Sequence, residues 1–263
     1  MVSPDKIVRQ LNPPAADVRL VCFDKVDSTN DVAKRFVEEG VCDRLVVISN
    51  CQSSGRGRFE RGWISPRGGL YASLITKPVL SPSRLPLMGM MLGLSAVSAI
   101  YSLSAIDVHL KWPNDIVVDD KKVGGILNEA VTEGDQGVAV ILGIGINVNL
   151  LPNDYPEDLR KSITTILLET GEESSLEDLA ALLLNEVYGR IREVETRQTY
   201  ESILSEYKSV CNTLDRRVRV EQTDGIFEGT ALNIDEYGAL IVETEEGEVK
   251  LSTGDVVHLN LKT

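Results

Sequence analysis

The sequence predicts an α+β fold: a mixed β-sheet packed with helices across residues 1–212, then a small β-barrel across 213–263. Three observations carry this. Short apolar β-type runs flank helix-spaced stretches throughout the first part. Two of the helical stretches are long and apolar, one of them free of charge from Leu85 to Ile106. From Leu214 the pattern switches to short β runs broken by turns at Gly225, Gly238, Gly247 and Gly254, as in a five-stranded barrel.

Asp17 to Asp24 is the first β-type run. Ser28-Thr29-Asn30-Asp31 follows, and apolar Val32, Ala33, Phe36 and Val37 fall at helical spacing, with Gly40 as a stop. Ser28 and Asp31 have the spacing of a capping box, which sets the polar residues at a helix N-terminus. Leu45–Ile48 and Leu70–Ile75 read as strands on either side of a loop, C-Q-S-S-G-R-G-R-F-E-R-G-W, from Cys51 to Trp63. Its glycines permit tight folding, its arginines suit carboxylates and phosphates, and Trp63 offers a face for an aromatic base.

The uncharged stretch is long enough to span a bilayer. Pro86 and four serines within it, and the lack of a flanking basic cluster, favour a helix buried in a water-soluble core. His109 to Leu127 reads as a hairpin with an irregular K-W-P-N-D start, since the residue before a proline is extended. Val138–Ile146 is a buried central strand. Ser174 or Ser175 caps an amphipathic helix running to Val194, and a shorter one carries Tyr200 to Val210.

Composition narrows the chemistry. With 27 Lys and Arg against 40 Asp and Glu, the net charge of −13 argues against a nucleic-acid binder. A local basic site in such a chain suggests a small anionic ligand. The four cysteines have no metal or disulfide spacing and read as thiols of a reducing cytoplasm. The first seventeen residues lack the apolar core of a signal peptide. Two histidines make a Ser–His triad or a histidine metal centre a poor reading, and no dedicated metal site is expected. No phosphate-binding G-x-x-x-x-G-K-[ST] motif occurs, and Gly143-Ile144-Gly145 lacks the third glycine of a dinucleotide fingerprint.

What remains is Arg56, Arg58 and Lys122 with Asn114, Asp115 and Asn147, all at strand ends or loops beside one sheet. Activation of a carboxylate by ATP needs such a set. Two anions must meet, so their repulsion has to be offset by positioned cations, with Mg²⁺ on the phosphates.

Five segments occur in order: S-T-N at Ser28–Asn30, G-R-G-R at Gly55–Arg58 with Trp63, K-W-P-N-D at Lys111–Asp115, K-x-G-G-I-L at Lys122–Leu127, and G-I-N at Gly145–Asn147. Together they resemble the biotin–protein ligase family, the biotin–[acetyl-CoA-carboxylase] ligases, over residues 20 to 260. The resemblance implies a catalytic domain with an SH3-like C-terminal barrel, and a reaction in two steps. Biotin and ATP give biotinyl-5′-AMP and pyrophosphate; the biotinyl group then passes to a lysine of a biotin carboxyl carrier protein.

By matching position, Ser28, Thr29, Asn30, Gln52, Gly55, Arg56, Gly57, Arg58, Lys122, Gly124 and Gly125 would contact biotin. Arg58, Arg61, Trp63, Asn114, Lys122 and Asn147 would contact ATP or the adenylate. Arg58 and Lys122 are the catalytic pair, and Asp115 would orient the acceptor lysine or assist Mg²⁺. Lys111 reads equally as a residue flanking the sheet, and Asn114-Asp115 also has a pure turn reading. A homodimer stays open, and neither a membrane nor a nucleic acid is expected as partner.

Two departures stand out. Glu60 occupies a position where the family usually has glycine, so a carboxylate in the loop is expected to slow adenylation or alter loop closure. About twenty residues precede the first strand, too few for the N-terminal DNA-binding domain of some relatives, so the single-function form is expected. The rivals are a lipoate–protein ligase, set aside because G-R-G-R and K-W-P-N-D take the biotin-type form, and a biotin-binding protein without turnover.

Overall fold

Alternation along two strands explains how the main sheet is covered on both faces. In the strand Leu45–Ser49, Val46 and Ile48 join the larger core while Leu45 and Val47 join a smaller one. Side chains of successive strand residues point to opposite faces. The strand Val138–Ile146 divides likewise, with Val140, Leu142 and Ile144 on one side and Ala139 and Ile141 on the other. A computed structural model describes residues 2–41, 43–77, 79, 81–132, 138–222 and 225–259.

In chain order, α1 (Pro4–Val8) leads to β1 (Arg19–Phe23), α2 (Thr29–Glu38), β2 (Leu45–Ser49), β3 (Leu70–Thr76) and α3 (Leu85–Ser104). Then come β4 (His109–Lys111), β5 (Asp115–Val118), β6 (Lys121–Thr132), β7 (Val138–Ile146), α4 (Ile166–Thr170), α5 (Leu176–Arg197) and α6 (Glu201–Val210). The main sheet has the order β1-β2-β3-β7-β6-β5-β4, with β1 and β2 parallel and the other pairs antiparallel. It is mixed, as expected, and β7 lies at its centre.

α2 covers one face through Val32, Ala33 and Val37. α3 covers the other and packs on α5 and α6. By length and composition α3 passes for a membrane span, yet 67% of that window is buried in this fold. Those apolar side chains are consumed by the core. Ser175, rather than Ser174, caps α5 by accepting from the Asp178 amide. The expected capping box at α2 does not form: Ser28 is the N-cap residue but makes no side-chain cap bond. Other partners claim the groups, since the Ser28 amide donates to Asp27 Oδ1 at 2.8 Å and Asp31 pairs with Arg56 at 2.9 Å.

The C-terminal strands β8 (Arg217–Gln222), β9 (Gly225–Ile234), β10 (Leu240–Thr244), β11 (Gly247–Leu251) and β12 (Asp255–His258) form a five-stranded antiparallel sheet in the order β11-β10-β9-β8-β12. Among the described residues no ladder joins β11 to β12. Val218, Val220, Ala231, Ile234, Leu240 and Val242 join the same core as α3 and β7. Trp112 fastens the join: its amide donates to Thr213 Oγ1 and its Nε1 to the Gly238 carbonyl, both at 3.0 Å. Among the described residues Cys22, Cys51 and Cys211 are free thiols; Cys42 lies outside them.

Candidate active site

The loop between β2 and β3 is a small hairpin. Arg56 bridges Gly62, the Gly57 amide donates to the Arg61 carbonyl at 2.7 Å, and the Trp63 amide donates to Gly55 at 2.8 Å. Its left-handed residues are Phe59 (φ 54) and Glu60 (φ 58), not the glycines. Gly55 is needed for close approach instead, because a Cβ there would stand 2.4 Å from the Trp63 carbonyl oxygen. The Glu60 side chain is exposed, and among the described residues it makes no ion pair with the arginines beside it.

The three loop arginines point to three different holds. Arg56 is pinned by Asp31 at 2.9 Å and Glu129 at 2.5 Å. Arg61 pairs with Asp255 of the C-terminal sheet. Arg58 donates from Nη1 to the Gly254 carbonyl at 3.1 Å and Asn114 Oδ1 at 3.3 Å, and from Nη2 to Thr253 Oγ1. All of Arg58's partners are neutral, so among the described residues its charge meets no carboxylate within ion-pair distance.

These side chains surround a cavity of about 270 Å³. One end is a buried polar network. Gln52 accepts from the Thr29 amide at 2.7 Å and donates from Nε2 to Ser65 Oγ at 2.7 Å. Ser73 Oγ lies 2.8 Å from Thr29 Oγ1 and 2.6 Å from Asn30 Oδ1, and Asn30 Nδ2 donates to Glu129 at 2.7 Å. Asn30 fits only because Gly143 lies opposite, where a Cβ would come within 2.1 Å of its Oδ1.

The other end is charged. Lys122 pairs with Asp115 at 2.6 Å and stands over the Trp63 ring, 5.1 Å from its centroid. Sheet register places Gly125 directly opposite Gly145, giving a flat floor on which the indole lies. Lys111 lines the same space. Burial pushes its ammonium down from the ordinary lysine value, against the pull of Asp115, and burial likewise lowers Arg58. Asn114 has the backbone-fixing contacts of its turn reading and also meets Arg58. Its carbonyl and Nδ2 hold Ile126 at 2.9 and 2.8 Å, while its Oδ1 receives Arg58.

Of the residues singled out from the sequence, Ser28, Thr29, Asn30, Gln52, Arg56, Gly57, Arg58, Arg61, Trp63, Asn114, Asp115, Lys122 and Gly125 line this cavity. Gly55 and Gly124 do not; a Cβ on Gly124 would meet the Gly145 carbonyl oxygen at 2.9 Å. Asn147 lines an adjoining cavity of about 300 Å³ that shares Trp63, Lys111, Asp115 and Lys122 with the first. Its Nδ2 is fixed on the Thr164 and Lys122 carbonyls at 3.1 and 3.4 Å, and its Oδ1 is buried with no hydrogen-bond partner among the described residues. Sequence reasoning missed Asp31, Glu129 and Asp255, the carboxylates that hold the arginines. Only Glu129 left a signal, as an acid beside the apolar run Ile126-Leu127. Among the described residues no cluster of three metal-ligating side chains occurs.

The fold and the cation-lined cavity define an enzyme of the biotin and lipoate ligase class. Residues 22–147 match the biotin/lipoate A/B protein ligase family, and residues 213–259 match the biotin protein ligase C-terminal domain. The chain is 32% identical to the bifunctional ligase/repressor BirA of Bacillus subtilis over 90% of its own length and 73% of that protein's. It is also 32% identical to the biotin–[acetyl-CoA-carboxylase] ligase of Mycobacterium tuberculosis, covering 88% of this chain and 86% of the relative. The biotin protein ligase of Aquifex aeolicus, solved with biotin and ATP, superimposes with a TM-score of 0.80 at 28% identity over 92% of this chain and 99% of that one. The chain belongs to the biotin protein ligase family.

Proposed function

We propose that this chain joins biotin to ATP as biotinyl-5′-AMP and passes the biotinyl group to a lysine of a biotin carboxyl carrier protein. The observation that carries the site assignment is the pair Arg58 and Lys111. Both are half-buried cations facing one cavity in a chain of net charge −13, and neither has an ion-pair partner among the described residues. Partly desolvated positive charge of this kind is an anion site.

Biotin takes the polar end, where Thr29, Asn30, Gln52 and Ser73 already form a hydrogen-bonded set beside Ser28. Its carboxylate lies towards Arg58 and Lys122, which exchange present partners for the carboxylate and the α-phosphate. In the first step a carboxylate oxygen bonds to the α-phosphorus as pyrophosphate leaves. Arg58 and Lys122 stabilise the charge that gathers there. The base lies in the adjoining cavity, which Trp63 and Asn147 line.

Mg²⁺ fits the donor set only as a guest of the phosphates. The cavity offers two carboxylates, Asp115 and Asp255, each already paired with a cation, and Mg²⁺ ordinarily binds through one or two carboxylates plus phosphates. When present it supplies charge neutralisation on the pyrophosphate. Residues 1–212 and 213–263 are the two units of the enzyme in this reading, supported by the family match that begins at residue 213. A cytoplasmic location accords with the free thiols and with ATP as substrate.

The test is biotin-dependent release of pyrophosphate from ATP, followed by transfer of labelled biotin to a carrier domain. Turnover with lipoate alone would replace the reading by a lipoate ligase, and binding without release would reduce it to a biotin-binding protein.

A further inference from the structure

The polar end of the cavity has a second row of side chains behind it. Thr29, Asn30 and Gln52 line the space, whereas Ser73 and Glu129 do not. Ser73 is fully buried. Glu129 sits on β6, where one of its oxygens, Oε2, receives both Asn30 Nδ2 at 2.7 Å and Arg56 Nη2 at 2.5 Å. It lies outside the space assigned to either reactant.

We propose that Glu129 is a positioning residue for the ring N–H groups of the ligand, because it fixes the direction of the hydrogen bonds that run from it to Thr29. The inference deepens the reading above, in which biotin takes this end of the cavity, and rests on it. A carboxylate only accepts, so it turns the Asn30 amide nitrogen towards β6, where the Leu127 carbonyl at 3.3 Å is a further acceptor. Asn30 Oδ1 is left for Ser73 Oγ at 2.6 Å. An amide oxygen cannot donate, so the Ser73 hydroxyl must, and its one hydrogen is spent there. At the 2.8 Å contact between Ser73 Oγ and Thr29 Oγ1 the donor is therefore Thr29. The other route for that hydrogen, to Gln52 Oε1 at 3.2 Å, is longer and meets an oxygen that already holds the Thr29 amide at 2.7 Å. Along either route the hydrogen stays within the protein and the Thr29 oxygen is left as an acceptor. Removal of the carboxylate frees the Asn30 amide to turn over, and the Ser73 and Thr29 hydroxyls with it.

An acceptor at this place selects a ligand that brings N–H. A cyclic urea does so on both sides of its carbonyl. A cyclic carbamate, with oxygen in place of one N–H, sets a lone pair against the Thr29 oxygen instead. Two facing acceptors cost more than a lost contact, because each has given up its water. The oxygen that orders this wall also holds Arg56, so the arginine loop and the wall beside it share one anchor.

The test uses the full chain with biotin and with its two cyclic carbamate analogues, each lacking one ring N–H, and reads KM and kcat for pyrophosphate release. With the wild-type protein at least one analogue should have a KM about tenfold or more above that of biotin, with kcat within about twofold. Glu129→Leu and Ser73→Ala interrupt the chain of bonds at two separate points. In both, the KM ratio should shrink to about threefold or less, through a higher KM for biotin. Glu129→Gln should keep the wild-type ratio, because Asn30 and Arg56 both donate to one atom and so draw the amide oxygen to that place. A merely structural role would move the KM of biotin and of the analogue together. An unchanged ratio in Glu129→Leu, or in Ser73→Ala should Glu129→Leu not fold, overturns the proposal. So does a wild-type protein that uses both analogues as well as biotin. Absence of biotin-dependent pyrophosphate release in the wild-type protein would instead defeat the underlying ligase reading.

Discussion

Arg58 donates from Nη1 to the backbone carbonyl of Gly254 across 3.1 Å, although the two residues stand 196 apart in the chain. With Thr253 Oγ1 and Asn114 Oδ1 as its other acceptors, the guanidinium is oriented by neutral groups that leave its charge for a ligand. Arg58→Ala and Lys122→Ala are therefore expected to lower biotin-dependent pyrophosphate release about 100-fold or more, with little change in the thermal midpoint. Arg58→Lys should recover little, because an ammonium cannot make the forked contacts. Wild-type rates in either alanine variant would remove that residue from the mechanism.

Trp63 lies on the glycine floor, and a Cβ on Gly145 would be 2.4 Å from its Nε1. Gly145→Ala must lift the indole. The expected result is a KM for ATP raised about tenfold, equivalent to about 1.4 kcal/mol. The chain has two tryptophans, and Trp112 is 1% exposed, so a shift in emission on substitution reports Trp63.

Glu60 was expected to matter through its charge. Its exposed side chain and left-handed backbone shift the weight to conformation. Glu60→Gln should leave adenylation within about twofold, whereas Glu60→Val should destabilise the loop tip by about 1–2 kcal/mol, since a branched residue resists that region. Adenylation rates of the two variants separate charge from backbone. A large effect of Gln alone would restore the electrostatic expectation.

His258 of β12 meets Asp120, in the turn before β6, at 3.1 Å, with Arg216, Lys111 and Thr213 also facing it. Burial, then the nearby Lys111 charge, lowers its folded pKa below the ordinary 6.5, although Asp120 opposes this. The unfolded chain thus binds the proton more readily. The stability contributed is complete above the unfolded pKa and is lost as pH falls through the folded value. Thermal midpoints measured from pH 8 to 5 should fall less steeply for His258→Gln than for wild type. Parallel curves would exclude His258 as a source of the acid slope.

Which parts were legible in the sequence follows from chain locality. Gly55 to Arg58, Lys111 to Asp115 and Lys122 to Leu127 are each contiguous, so their residues could be singled out before the fold was known, and the structure brings most of them to one cavity. The periodicity of β7 and α5 is local too. What stayed hidden depends on pairing across the chain. Asp255 reaches Arg61 only once the C-terminal sheet is packed, and Glu129 becomes a partner of Arg56 through the order β3-β7-β6. The capping box misled because the neighbouring Asp27 takes the Ser28 amide and Arg56 takes the Asp31 carboxylate.

The central claim is that this cavity joins a carboxylate to ATP. Biotin-dependent exchange of labelled pyrophosphate into ATP, measured with wild-type protein and with Arg58→Ala, tests it most directly. The expected result is rapid exchange that needs biotin, is not supported by lipoate, and is lost in the variant. Exchange without biotin, exchange with lipoate alone, or equal exchange in Arg58→Ala would contradict it.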